Sequence, residues 1–137
     1  KNGQKHLLFT YHGLPKAMLL AGDPYHCYCV KTTRLLCEML NLKDDEHSMS
    51  FQSRFGAQEW LKPYTDDVIP ELAKKHEAID VICPGFAVDC LETIEEVNMG
   101  YRELFLENGG KDFHMIPCLN DQESHAKALL DVISSPF

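Results

Sequence analysis

The chain has 137 residues, 45% of them hydrophobic and 25% charged, with a formal net charge of −8. That length is one domain's worth and buries about two-thirds of its unfolded surface, so folding needs no disulfide staples. An excess of Asp and Glu (21) over Lys and Arg (13) argues against nucleic acid or an anionic membrane as a partner. No apolar run approaches the ~18–20 residues of a transmembrane segment. No secretion signal is recognisable, and the first residue is Lys1, so a longer parent chain is expected. The six cysteines, at 27, 29, 37, 83, 90 and 118, include no Cys-x-x-Cys pair. Reduced thiols in a cytoplasmic protein are the expectation.

In chain order, residues 6–11 (His-Leu-Leu-Phe-Thr-Tyr) read as a strand that ends at His12-Gly13-Leu14-Pro15. A helix is predicted over about 30–42, with Val30, Thr33, Leu36 and Leu40 inward at the helical period. Residues 48–53 alternate like a second strand. A loop over 54–63 carries Gly56 and the single tryptophan, Trp60. Thr65 is placed to cap a helix to about 77, with a kink or tight first turn expected at Pro70. Residues 79–83 form the most strand-like run and stop at Pro84-Gly85. A helix over 89–107 ends at Asn108-Gly109-Gly110 in the manner of a glycine cap. A fourth strand, 113–116, and a last helix, about 121–133, complete the chain.

This alternation predicts an α/β domain: a four-stranded parallel sheet with helices on both faces, joined by right-handed crossovers. Ligands of such sheets bind beyond the carboxyl ends of the strands. Functional residues are therefore expected at 12–15, 53–60, 84–92 and 117–120.

Three constellations fall in those windows. His12, directly after the first strand, suits a general base or a ligand to a borderline metal, and equally a plain loop histidine. Asp89, Glu92 and Glu96 are spaced to share one stripe of the third helix, with Leu91, Ile94, Tyr101 and Phe105 turned to the sheet. Mutual repulsion is expected to raise some of these carboxyl pKa values. Asp89 and Glu92 also fit a capping box, the favoured reading of the pair on its own. Trp60 and Phe86, each near a strand end, suit either a pocket wall or a cover for the core.

Taken together, the motifs resemble the ferrochelatase family. They are Tyr11-His12-Gly13-Leu14-Pro15 with Gly22-Asp23-Pro24-Tyr25, and Phe51-Gln52-Ser53-Arg54-Phe55-Gly56 with Trp60 to Asp66. Cys83-Pro84-Gly85-Phe86 through Thr93, and Ile116-Pro117-Cys118-Leu119-Asn120, complete them. The resemblance runs from about Phe9 to Val132, and residues 1–137 read as the C-terminal domain of a bacterial member, with the N-terminal half absent. The resemblance implies a Rossmann-like, chelatase-type domain of an enzyme that inserts ferrous iron into a porphyrin, protoporphyrin IX or coproporphyrin, in haem biosynthesis. It implies His12 and Glu92 as catalytic and metal-handling residues, Asp89 and Glu96 as a proton or metal relay, and Phe86 and Trp60 as porphyrin-binding. Its partners would be the porphyrin, ferrous iron as substrate, and the chain's own N-terminal domain. Cys90 stands where many members carry histidine, and Gly100 where many carry an acid. No cysteine follows Cys118, so no iron–sulfur cluster is expected. Two other classes share these features: a non-catalytic binding fragment, and a chelatase for another tetrapyrrole and metal.

Overall fold

The computed structural model describes residues 5–135. Four strands, β1 (His6–His12), β2 (His47–Gln52), β3 (Ala78–Ile82) and β4 (Asp112–Met115), form one sheet in the order β2-β1-β3-β4. Every pairing is parallel, as the alternation predicts. β1 lies between β2 and β3, and its pairing with β2 runs from Leu7 opposite His47 to His12 opposite Gln52. The two strand ends that carry the candidate site are therefore adjacent.

Strand alternation sorts the core into two layers. Leu8, Ile79, Val81 and Phe113 point to one face, where they pack with Ile69 and Leu72 of α3 (Thr65–Lys75) and with Val97 and Phe105. Phe9, Tyr11 and Phe51 point to the other, against Cys29 and Cys37 of α2 (Tyr25–Leu40) and Leu19 of α1 (Lys16–Leu20). Helices thus cover both faces. The last helix, α5 (Glu123–Ser134), buries none of its side chains.

Several local expectations are corrected. The short α1 was unforeseen, and α2 opens five residues early because Asp23 accepts the Tyr25 N–H at 2.8 Å just after Pro24. Its buried face is Cys29, Thr33 and Cys37, while Val30 and Leu40 are exposed. Thr65 is the first helical residue rather than the cap, its hydroxyl taken by Thr10 and Ser50, and α3 continues through Pro70. The helix foreseen over 89–107 is a π-helix, Glu92–Tyr101, continued by α4 (Arg102–Glu107). Within it Ile94 is exposed and Thr93 and Val97 are buried; Leu91, just before it, is exposed, while Phe105, on α4, is buried as expected.

The glycine ending of α4 is as foreseen. Gly109 adopts φ 103°, its N–H reaching the Leu106 carbonyl and that of Gly110 the Phe105 carbonyl. A Cβ on Gly110 would lie 2.0 Å from the fully buried Phe105 ring. Gly110→Ala should therefore lower unfolding stability by about 1–3 kcal/mol in urea titration, with Phe105→Leu recovering part of the loss.

Candidate active site

The carboxyl ends of β1 and β2 and the start of the π-helix enclose an open cavity of about 550 Å³. It is lined by His12, Ser53, Phe55, Leu91, Glu92, Glu95 and Glu96. His12 sits on the face of β1 that the π-helix covers. Its Nδ1 lies 2.7 Å from the Gly13 carbonyl, which can only accept, so Nδ1 carries the proton. Nε2 is left with its lone pair, the form that takes a proton or binds a metal. The Tyr25 hydroxyl donates to the His12 carbonyl at 2.8 Å and holds the same turn.

Trp60 supports that turn from behind. It is buried, and its ring centroid stands 6.4 Å from that of His12 and 5.0 Å from that of Phe55. Gly13 is the close-approach point: a Cβ there would lie 2.9 Å from the Gln52 carbonyl and 3.0 Å from the Trp60 ring. Trp60 thus underlies the site, while the largely exposed Phe55 is the aromatic on its wall.

The carboxylates divide by role. Asp89 precedes the π-helix and does not line the cavity. Its oxygens accept from the Asn120 amide (2.7 Å), the Cys118 N–H (3.2 Å) and the Thr93 hydroxyl (3.3 Å), and its own N–H reaches Asn120 Oδ1 (2.8 Å). Asp89 therefore latches the loop after β3 to the loop after β4, in place of the foreseen capping box. The Asn120 amide, ahead of the other donors, holds its carboxyl below the usual range. Glu92 is also lowered, first by the Cys90 thiol and then by its own backbone N–H, with His12 a further favourable neighbour. The upward shift expected from mutual repulsion does not occur for these two, whose hydrogen-bond donors outweigh the burial that opposes them.

Glu96 is gripped from three sides. Oε1 accepts the Ser53 N–H at 2.7 Å and the Tyr101 hydroxyl at 2.9 Å, while Oε2 accepts the Ser53 hydroxyl at 2.5 Å. The buried Gln52 amide donates to the Glu92 carbonyl at 3.3 Å and to Glu96 Oε2 at 3.4 Å. Burial and the adjoining Glu96 push the Tyr101 phenol well above its ordinary value.

Phe86 lies elsewhere. It packs on the core and lines a second, mostly apolar cavity of about 520 Å³ with Leu36, Ile82, Ile116, Leu119 and His125. The site residues missed from sequence are Gln52, Ser53, Phe55, Leu91, Glu95 and Tyr101. The first three sit in the foreseen window after β2 or at its edge. Leu91 sits in the window after β3, and Glu95 and Tyr101 lie within the π-helix.

Among the described residues, no three His, Cys, Asp or Glu side chains converge on a metal-binding position. His12, Glu92, Glu95 and Glu96 stand as separate donors along one open wall.

A family model described as ferrochelatase matches residues 1–136. The chain belongs to the ferrochelatase family. A ferrochelatase of Nitrosococcus oceani is 56% identical over 128 residues, 93% of this chain and 35% of the relative. One of Marinobacter nauticus is 53% identical over 135 residues, 97% of this chain and 36% of the relative. The chain thus spans about a third of the length of the curated ferrochelatases it matches. A solved structure from Marinobacter aquaeolei, described as a CbiX protein of cobalamin (vitamin B12) biosynthesis, superposes with a TM-score of 0.58 at 15% identity. It covers 94% of this chain and 93% of that one, and it confirms the chelatase-type fold alone.

The Asp89 latch gives a pH test. A depressed folded-state pKa stabilises above the unfolded value, near 4, and that stabilisation is lost as pH falls through the lower folded value. Asp89→Asn should cost about 1–3 kcal/mol in urea unfolding at pH 7, and the gap from the parent should narrow at pH 3 and below.

Proposed function

We propose that this chain is the C-terminal, metal-handling domain of a cytoplasmic ferrochelatase, a lyase that inserts ferrous iron into protoporphyrin IX or coproporphyrin to form haem. The observation that carries the reading is the juxtaposition of His12 Nε2, freed by the Nδ1–Gly13 bond, with Glu92 and Glu96 around one cavity at the sheet's carboxyl edge. Family membership supports it.

Metal insertion must strip water from the iron and remove two pyrrole protons. His12 Nε2 presents a lone pair toward the macrocycle, as a proton acceptor or as a ligand to the incoming iron. Glu92, held below the usual carboxylate range by its donors, stays charged near neutral pH and joins His12 at the metal or takes a proton. Glu96 continues the path away from the cavity, and Asp89 holds the loop from which the π-helix starts. Trp60 stiffens the His12 turn and serves porphyrin binding from beneath, by backing the Phe55 ring that bears on the macrocycle; Phe86 extends the apolar surface on the far side of the strand ends.

The opposite wall of the porphyrin cleft comes from the N-terminal domain, in the part of the relatives' length that lies outside this chain. Iron enters as substrate rather than as a resident cofactor. No described helix is long and apolar enough to cross a membrane.

In the full-length protein, His12→Ala should lower haem formation from ferrous iron and porphyrin by about 10²–10⁴-fold while porphyrin binding, read by fluorescence quenching, persists. Turnover at the parent rate would overturn the assignment of His12.

A further inference from the structure

Two cavities meet at one wall. Ser53 and Glu96 border the cavity of His12 and Glu92. The same two residues border a second cavity of about 350 Å³ behind it, lined also by Arg54, Asp66, Tyr101 and Leu104. Glu96 is thus the carboxylate between them, and its orientation decides which side its oxygens serve.

Ser53 controls that orientation through its backbone. It is the first residue after β2 and adopts φ 64°, in the left-handed region. In an extended strand the N–H lies in the plane of the sheet and the side chain stands out of it, so the two donors diverge. The left-handed turn at Ser53 swings both onto one group: the N–H meets Glu96 Oε1 and the hydroxyl meets Oε2. A carboxylate with a donor on each oxygen is fixed in rotation, whereas a single donor leaves it a pivot. Tyr101 adds a second donor to Oε1, but the Gln52 amide reaches Oε2 only at 3.4 Å, so the Ser53 hydroxyl is the short donor on Oε2. A strained serine where glycine would sit at lower cost is a feature that stability alone does not explain.

We propose that Ser53 is a positioning residue for metal insertion, clamping the Glu96 carboxylate at the boundary between the two cavities so that it receives protons or cations from the His12–Glu92 side. The inference rests on the proposed function above, and it assigns Ser53 no contact with the reacting atoms.

The test is a double-mutant cycle in the full-length protein with ferrous iron and porphyrin, using the parent, S53G, E96Q and S53G/E96Q. S53G keeps the backbone N–H, relieves the left-handed strain and removes only the hydroxyl arm. Its thermal midpoint should equal or exceed the parent's, while kcat for haem formation falls about 10–100-fold and KM for porphyrin is unchanged. In the E96Q background the same change should cost nothing further. S53G turning over at the parent rate, a loss carried by porphyrin KM, or an equal loss in both backgrounds would overturn the proposal. No haem from the parent would overturn the proposed function and this inference with it. Haem from the parent with an additive cycle would overturn the inference alone.

Discussion

A run of buried hydrogen bonds fastens the sheet to the helix that carries the chemistry. Ser50 of β2, Thr65 of α3 and Thr10 of β1 are linked hydroxyl to hydroxyl at 2.9 Å, and Thr10 donates to the Gln52 side-chain carbonyl at 3.1 Å. Because Thr10 spends its proton on Gln52, Thr65 must donate to Thr10 and Ser50 to Thr65, so the chain has one direction. It also fixes the Gln52 amide, whose nitrogen then points at the Glu92 carbonyl and Glu96. All four residues are buried, where an unmatched polar group is costly, so the chain holds as a unit. Side-chain placement at the strand ends depends on it.

The π-helix is the second determinant. Its i→i+5 turn stacks Tyr101 over Glu96, five residues away, and their hydrogen bond spans one turn of it. Glu95 of the same helix, and Leu91 just before it, stand on the cavity wall beside Glu92. The acidic groups here are governed by their donors: Asn120 for Asp89, and the Cys90 thiol for Glu92. The Cys90 thiol is thus the first of the groups that hold Glu92 down.

The sheet was legible because parallel strands buried on both faces read as apolar runs bounded by Gly and Pro, and because β-α alternation admits few topologies. The windows after the strands held His12, Glu92, Ser53 and Phe55 for the same reason. Other features were beyond the reach of pattern. α1 has five residues and buries none of them, so it has no periodicity to find. α2 packs through two cysteines and a threonine, types that a hydrophobic count undervalues. The stripe of Asp89, Glu92 and Glu96 assumed an α-helical period, and the π-helix removed Asp89 from it. Glu96's clamp depends on a left-handed serine, a conformation that serine's intrinsic preferences do not announce.

In the proposed function, His12 Nε2 and Glu92 together receive the metal at the carboxyl edge of the sheet. Anomalous diffraction from crystals of the full-length protein soaked with ferrous iron under anaerobic conditions tests it most directly. The account predicts one iron peak in the cavity, within about 2.0–2.3 Å of His12 Nε2 and of a Glu92 oxygen, and its loss in His12→Ala. Iron bound only elsewhere, with His12 Nε2 free, would contradict it.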